Sequence, residues 1–385
     1  MMASTSRIII SKEALRENVA FIRSVVHPQT VISAVIKGNA YGHGVSVIIP
    51  ALEALGIDHF SVFSSPEAKE AFRHAARGST IMIMGYICDE ELEWIIRNGI
   101  EFYVSDLLQL ERTLKTAKSL RMDAKIHLDI ETGMNRTGLA LKHLKQAIQV
   151  VNRNREYLRV RGACSHFAGA ESIANHIRIK KQFAVFNKRI RTLSENGIHP
   201  EKKHIASSAA AINYPETQMD LVRTGILIYG YWPTRETFIN YTHRRKEKTD
   251  PLKRALRWVT RVMFMKEIPE GEFIGYGLNY QALHQMRIMV LPVGYCNGYS
   301  RSLSNNGHVI VKGLRAPVIG MVNMNMIICD ITDIPEVRPG DEVTLIGKQG
   351  EAEISFSSFA EMNNSLNYEI LARLPENIDR TITNK

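Results

Sequence analysis

Apolar residues along the first 230 positions fall into short runs, separated by stretches in which they recur every three or four residues. The runs are VISAVI (31–36), HFSVFS (59–64), STIMIMG (79–85), EFYVS (101–105), AKIHLDI (124–130), LRVRGACSHF (158–167), KHIAS (203–207) and LVRTGILIYG (221–230). Between them lie segments such as EELEWIIRNG, LLQLERTLKTAKSL and LKHLKQAIQVVNRN, whose spacing predicts amphipathic helices. Near-continuous apolar strands alternating with helices predict a parallel sheet covered on both faces. Eight such strands in a segment of about 230 residues suit a closed (β/α)8, TIM-like barrel. An open doubly wound sheet is the alternative, but no GxGxxG follows the first strand to favour it.

After Tyr231 the pattern changes. The polar, basic segment 232–256 has the character of a connector. Beyond it come short strand candidates punctuated by glycine and proline: WVTRVMFMKEI, RIMVLPVGY, HVIVKG, APVIGMV, MIICDIT and EVTLIG. The expected division is therefore an α/β barrel over residues 1–240 and a C-terminal mostly-β domain over 250–385.

Composition narrows the class without deciding it. With 385 residues, 45% hydrophobic and 23% charged, the chain has the make-up of a soluble globular protein. No apolar run reaches the length of a membrane span, and the first residues lack a secretory pattern, so no membrane association is expected. Cys88, Cys164, Cys296 and Cys329 are far apart, with no metal-ligand spacing. That predicts a reduced, cytoplasmic protein without a metal site. The net charge of +10 comes from scattered basic residues, with local clusters at 176–191 and 242–248, the first at the spacing of a solvated helix face. No nucleic-acid-binding signature accompanies them, so small anionic ligands fit the positive field better than nucleic acid does.

Candidate chemistry collects on one predicted rim. Barrel enzymes build their sites where the C-terminal ends of the strands converge. Lys37 follows the first strand, in AVIKGNAYGHG; Arg136 lies after the fifth, His166 closes the sixth, Ser207 and Ser208 follow the seventh, and Arg223 is within the eighth. Singly, each has an ordinary structural role: a surface lysine, a core histidine, a helix-capping serine. Together they describe a chemistry. A partly desolvated lysine has a lowered pKa and can form an imine with an aldehyde, and pyridoxal phosphate is the usual aldehyde cofactor held in this way. Its phosphate would suit Ser208 and the turn that follows, while arginines would hold a carboxylate or face the pyridine ring.

AVIKGNAYGHG resembles the pyridoxal-phosphate lysine motif of alanine racemases. The resemblance continues in order through HLDIETGMNRTGL, SHFAGAE, HIASSAAAINYPE, DLVRTGILIYG, FIGYGLNY, LPVGYCNGYSR and APVIGMVNMNMIICDIT, nearly the whole chain. It implies a barrel followed by a β domain, pyridoxal 5'-phosphate as cofactor, and a two-base interconversion of L- and D-alanine that supplies D-alanine for peptidoglycan. Lys37 would carry the cofactor and act as one base; Tyr276 would be the other, reaching the site from the second subunit of a homodimer. Tyr41, Ser208, Gly225 and Ile226 would hold the phosphate, and Arg223 would face the pyridine nitrogen. Arg136 and the Met324 backbone would hold the substrate carboxylate, with Tyr295 narrowing the entrance and His166 beside Tyr276 as part of a cationic network.

Two departures from the family pattern bear on substrate. Asp129 stands where many members carry a modified lysine, and is expected to pair with Arg136, directly or through water. Asn325 and Asn297 stand where acidic residues are common, which leaves open a broader racemase acting on serine, lysine or arginine. A pyridoxal-phosphate decarboxylase is disfavoured by arginine at 223. A non-catalytic pyridoxal-phosphate carrier would have no use for Tyr276 and Arg136.

Overall fold

The computed structural model describes residues 4–384 apart from 244, 247, 356–358 and 360–366, so the basic cluster 242–248 lies partly outside the described residues. The chain forms two compact units, one of residues 14–37 and 48–253, the other of residues 1–13, 38–47 and 254–385.

The first strand, β1 (Ser6–Ser11), belongs to the second unit. The first unit holds eight parallel strands: β2 (Val31–Val35), β3 (His59–Val62), β4 (Thr80–Ile83), β5 (Glu101–Val104), β6 (Ala124–Asp129), β7 (Leu158–Cys164), β8 (Lys202–His204) and β9 (Leu221–Thr224). Seven of the eight apolar runs contain one of them, and β8 begins one residue before its run. They pair in the order β8-β7-β6-β5-β4-β3-β2-β9. The ends of that path meet at a parallel bridge between Ser207 and Arg223 and at a bond from Arg223 N to Ala206 O of 3.0 Å, which closes the barrel. Strands β3, β5 and β9 are buried at every position, as expected for strands with helices outside and packed side chains inside.

Amphipathic helices occupy the predicted intervals, among them Leu107–Leu120 and Leu141–Arg153. The first begins at Asp106, whose carboxylate accepts from Gln109 N, and ends at Arg121 in the left-handed conformation. The connector contains a helix that its polarity concealed, Arg235–His243. Phe238 and Tyr241 lie one turn apart on it and cluster with Trp232, which precedes the helix: Trp232 lies 5.3 Å from Phe238 and 5.1 Å from Tyr241, and Phe21 lies 5.2 Å from Tyr241.

The second unit is mostly β. Its strands are β10 (Leu256–Arg261), β11 (Phe264–Ile268), β12 (Met286–Leu291), β13 (His308–Val311), β14 (Leu314–Ile319), β15 (Ile327–Asp330), β16 (Glu342–Gln349), β17 (Ala352–Ile354) and β18 (Asp379–Thr383). They pair in the order β11-β12-β15-β14-β13-β16-β10-β1-β18, with β17 on β16. In this sheet β1 is antiparallel to β10 and parallel to β18, so the chain's first strand is not a barrel element. Trp258, Tyr299 and Phe359 are fully buried here.

The segment after Lys37 has unusual backbone. Gly38, Asn39, Ala40, Tyr41 and Gly42 all have φ between 50° and 75°, one turn of left-handed backbone closed by Gly42 N donating to Gly38 O at 2.9 Å. Asn39 Oδ1 accepts from Val45 N at 2.9 Å, and His43 Nδ1 donates to Tyr41 O at 2.8 Å. Arg380 Nε donates to Gly42 O at 3.0 Å. Local side-chain bonds and one arginine thus hold a conformation that L-residues disfavour.

Candidate active site

An arginine inside a fully buried strand must find acceptors for its guanidinium. Arg223, 5% exposed, donates through Nη1 to His204 Nδ1 at 2.6 Å, and through Nη2 to the carbonyls of Ser165 at 2.8 Å and Ile205 at 3.2 Å. His166 Nδ1 is 3.5 Å from Nη2. Among the described residues, Nε–H has no acceptor. One Nη1–H is likewise without an acceptor among the described residues, so two of the five donors of this rigid fork remain for a ligand.

Lys37 keeps surface open to water, yet packed protein crowds it closely. Loss of solvation, then repulsion from Arg136, lowers the pKa of its amine; Glu67 opposes this and Arg223 adds to it. His166 is pushed down to about 3 by burial first and then by Arg223, Arg136 and Lys37. Lys37, Arg136, His166 and Arg223 therefore share one cationic neighbourhood at the barrel rim. Burial and these neighbouring cations favour the neutral form of His166.

Asp129 closes β6 and is 7% exposed. Its carboxylate accepts from Ser105 Oγ at 3.0 Å and attracts the nearby Thr137 hydroxyl. Burial keeps its pKa above the ordinary value, against the pull of Thr137, Ser105, Arg223 and Arg136. Among the described residues no direct ion pair joins Asp129 to Arg136, so the expected pairing would run through water; Asp129 also attracts the hydroxyl of Thr137, the residue next to Arg136.

Ser208 and Gly225 are in contact, with Gly225 N donating to Ser208 Oγ at 3.0 Å. Ile226 is 1% exposed, and its backbone N–H has no acceptor among the described residues. A buried donor without a partner is costly unless a ligand supplies one. The same small region thus offers a hydroxyl and an unused N–H to an anion.

In the second unit, Tyr276, Tyr295, Met324 and Asn325 line one surface cleft of about 500 Å³. Two loops build it: Tyr295 N donates to Asn323 O and Cys296 N to Met324 O, both at 3.0 Å. The approach requires Gly294, where a β carbon would lie 2.2 Å from Asn323 O. Asn297 Oδ1 accepts from Gly294 N at 3.1 Å and so is occupied within its own turn. Asn325 Nδ2 lies 3.4 Å from Cys296 Sγ.

Sequence reasoning did not single out Glu101, His127 or His204, all buried inside the barrel. The available signal was a charged or titratable residue in an otherwise apolar strand. Their partners are on other strands, and only the fold reveals those.

Comparisons with known proteins agree with this architecture. The family model described as alanine racemase, N-terminal domain, matches residues 10–233, and that described as alanine racemase, C-terminal domain, matches residues 255–382. The alanine racemase of Methanococcus maripaludis is 34% identical, covering 96% of each chain. The alanine racemase structure from Clostridium difficile 630 superposes with a TM-score of 0.91 at 28% identity, covering 100% of this chain and 98% of that one. The alanine racemase from Bartonella henselae with covalently bound pyridoxal phosphate gives a TM-score of 0.83 at 25% identity, covering 99% of this chain and 100% of that one.

Proposed function

The chain belongs to the alanine racemase family, and from that premise we propose that it interconverts L- and D-alanine with pyridoxal 5'-phosphate held at Lys37. The residues present suit the cofactor: an amine with a lowered pKa, an unused guanidinium donor on Arg223, and the buried Ile226 N–H beside the Ser208–Gly225 pair. Tyr41 would complete the phosphate site. When bound, the cofactor supplies an electron-withdrawing ring that makes the substrate's α-proton acidic.

The chain's own residues then have defined tasks. Racemisation removes a proton from one face of the α-carbon and returns one to the other, which calls for two bases. The Lys37 amine, held toward its neutral form, exchanges a proton on one face. The Tyr276 phenol does so on the other. Arg136 and the Met324 backbone N–H hold the substrate carboxylate, and Tyr295 narrows the entry. Arginine is a poor proton donor at neutral pH, so at this position it would hold a ring nitrogen without protonating it.

Tyr276 would come from a second copy of the chain. It is 73% exposed, and so are the nearby apolar side chains Leu278 at 69% and Phe273 at 48%, which is the surface expected of an unpaired interface. A cytoplasmic homodimer supplying D-alanine for peptidoglycan is the setting this reading implies. Among the described residues no helix is long and apolar enough to cross a membrane.

The observation that carries the proposal is the crowding of the Lys37 amine by Arg136 and Arg223 at the barrel rim. The test is incubation with cofactor in heavy water and a panel of single-enantiomer amino acids, read by NMR and on a chiral column. Deuterium uptake with inversion for alanine alone is expected. Equal exchange on serine, lysine or arginine would assign a broader racemase, the reading that Asn325 in the cleft favours. Bound cofactor without any exchange would leave only a carrier.

A further inference from the structure

Four barrel strands carry polar side chains that meet end to end in the interior. Arg223 Nη1 on β9 is 2.6 Å from His204 Nδ1 on β8. His204 Nε2 is 2.9 Å from His127 Nδ1 on β6, and His127 Nε2 is 2.9 Å from Glu101 Oε2 on β5. The chemistry of the two ends decides every role between them. An arginine only donates, and a carboxylate only accepts. His204 must therefore show a bare Nδ1 to Arg223 and carry its proton on Nε2. His127 accepts that proton on Nδ1 and donates its own Nε2–H to Glu101. A second proton on either ring would set two N–H groups against each other, and burial holds both rings below the ordinary histidine value.

Glu101 is fixed as the acceptor. Burial opposes its charge, but the bond from His127, with His59 at 3.7 Å and Lys202 at 3.9 Å, holds its carboxyl below the ordinary value. Its other oxygen accepts from Arg161 Nε at 2.8 Å. The two groups hydrogen-bonded to this carboxylate, His127 and Arg161, are both donors to it.

The relay also has to cross β7, which lies between His127 and His204. The residue at the crossing is Gly162, paired in register with His127 and with Lys202. A β carbon there would lie 2.1 Å from His127 Nδ1, the atom that accepts from His204. The β6–β7 register shifts between Ile126 and His127, so Arg161 is the extra residue of a bulge that brings Gly162 opposite His127. Nothing in backbone conformation demands glycine here. Two close approaches do: that of the His127 ring where it bonds His204, and that of the Lys202 carbonyl, 2.9 Å from such a β carbon.

We propose that Glu101 is a positioning residue for Arg223: the relay Glu101–His127–His204, admitted by Gly162, presents a bare Nδ1 to Arg223 and engages one Nη1–H, which aims Nε–H at a ligand ring nitrogen. This rests on the reading of Arg223 as the ring-nitrogen partner. The relay is a device for aiming and polarising one guanidinium from the far end of the barrel.

Long-range 1H–15N spectra of protein with labelled histidine read the tautomers without any turnover. At pH 7, His127 and His204 are both expected as Nε2–H forms. Gly162→Ala cuts the relay sterically and Glu101→Gln removes the all-acceptor end, so each is expected to give mixed tautomers. With cofactor bound, each should shift the visible absorption band and lower kcat about tenfold, the scale on which outer hydrogen-bond partners act elsewhere, with KM nearly unchanged. Finding either wild-type ring as Nδ1–H or as a cation would overturn the relay. So would a folded Glu101→Gln protein with unaltered band and kcat, whether or not Gly162→Ala folds. Wild-type protein with the expected tautomers but no racemisation would sink the proposed activity while upholding the relay.

Discussion

A buried carboxylate near a binding site can serve function while weakening the fold, and Asp129 separates the two effects. Its raised pKa means the folded chain holds the proton to higher pH than the unfolded chain does. Its contribution to stability is therefore present below the ordinary carboxylate value of about 4 and is lost as pH rises through the raised folded value. Asp129→Asn removes that loss and can still accept from Ser105 and Thr137. We expect it to melt no lower than the parent at pH 7, and any advantage to vanish near pH 3. Asp129→Ala also releases Thr137, so Arg136 loses its anchor, and KM should rise about tenfold, the scale of one charge-assisted hydrogen bond. Melting curves across pH and steady-state kinetics check the pair; an unchanged KM in Asp129→Ala would remove Asp129 from substrate binding. At this scale the sequence was legible where a residue sits in a local motif. Lys37 before a glycine-rich turn and Arg223 in an apolar strand both announce themselves. Glu101 and His204 do not, because each takes its meaning from partners on other strands.

The turn after Lys37 shows what elements add. A glycine-rich stretch predicts sharp backbone, but not that five successive residues turn left-handed. Tertiary partners decide that. Gly38 and Gly42 share positive φ yet differ in surroundings: a β carbon at Gly38 meets nothing nearer than Ala372 Cβ at 3.7 Å, whereas at Gly42 it lies 2.0 Å from Leu371 O. Gly38→Ala should therefore cost only the left-handed penalty, about 1–2 kcal/mol. Gly42→Ala must also displace the 371 carbonyl and should cost roughly 3 kcal/mol or more. Urea midpoints measure both, and equal losses would mean that the close approach to Leu371 does not matter. Strand existence was readable throughout the barrel because buried parallel strands are apolar at nearly every position. The pairing of β1 with β10 and β18 was not, since RIIIS fits a barrel strand or a β-domain strand equally well. Helix 235–243 was hidden by its polar residues and is held by the aromatic cluster around Trp232.

For the whole molecule the decisive question is which copy of the chain supplies each base. Lys37 lies in the barrel unit and Tyr276 in the β unit. Tyr276 is mostly exposed among apolar neighbours, as a side chain awaiting a partner would be. If each site takes Lys37 from one chain and Tyr276 from the other, Lys37→Ala and Tyr276→Phe are separately inactive but complementary. A hybrid dimer has one site lacking both groups and one retaining both. Random assembly on co-expression makes about half the dimers hybrids, each with one of two sites intact, so about one quarter of the wild-type rate should return. Hybrids purified through two different tags should show about half the wild-type rate per dimer, with kcat per intact site and KM unchanged. Two bases acting within one chain cannot be rescued in this way, because every hybrid site would still lack one of them. Absence of recovery in purified hybrids that bind cofactor would therefore assign both bases to the same chain, whereas recovery requires the composite site, since exchange of subunits is the one route by which an intact pair can form.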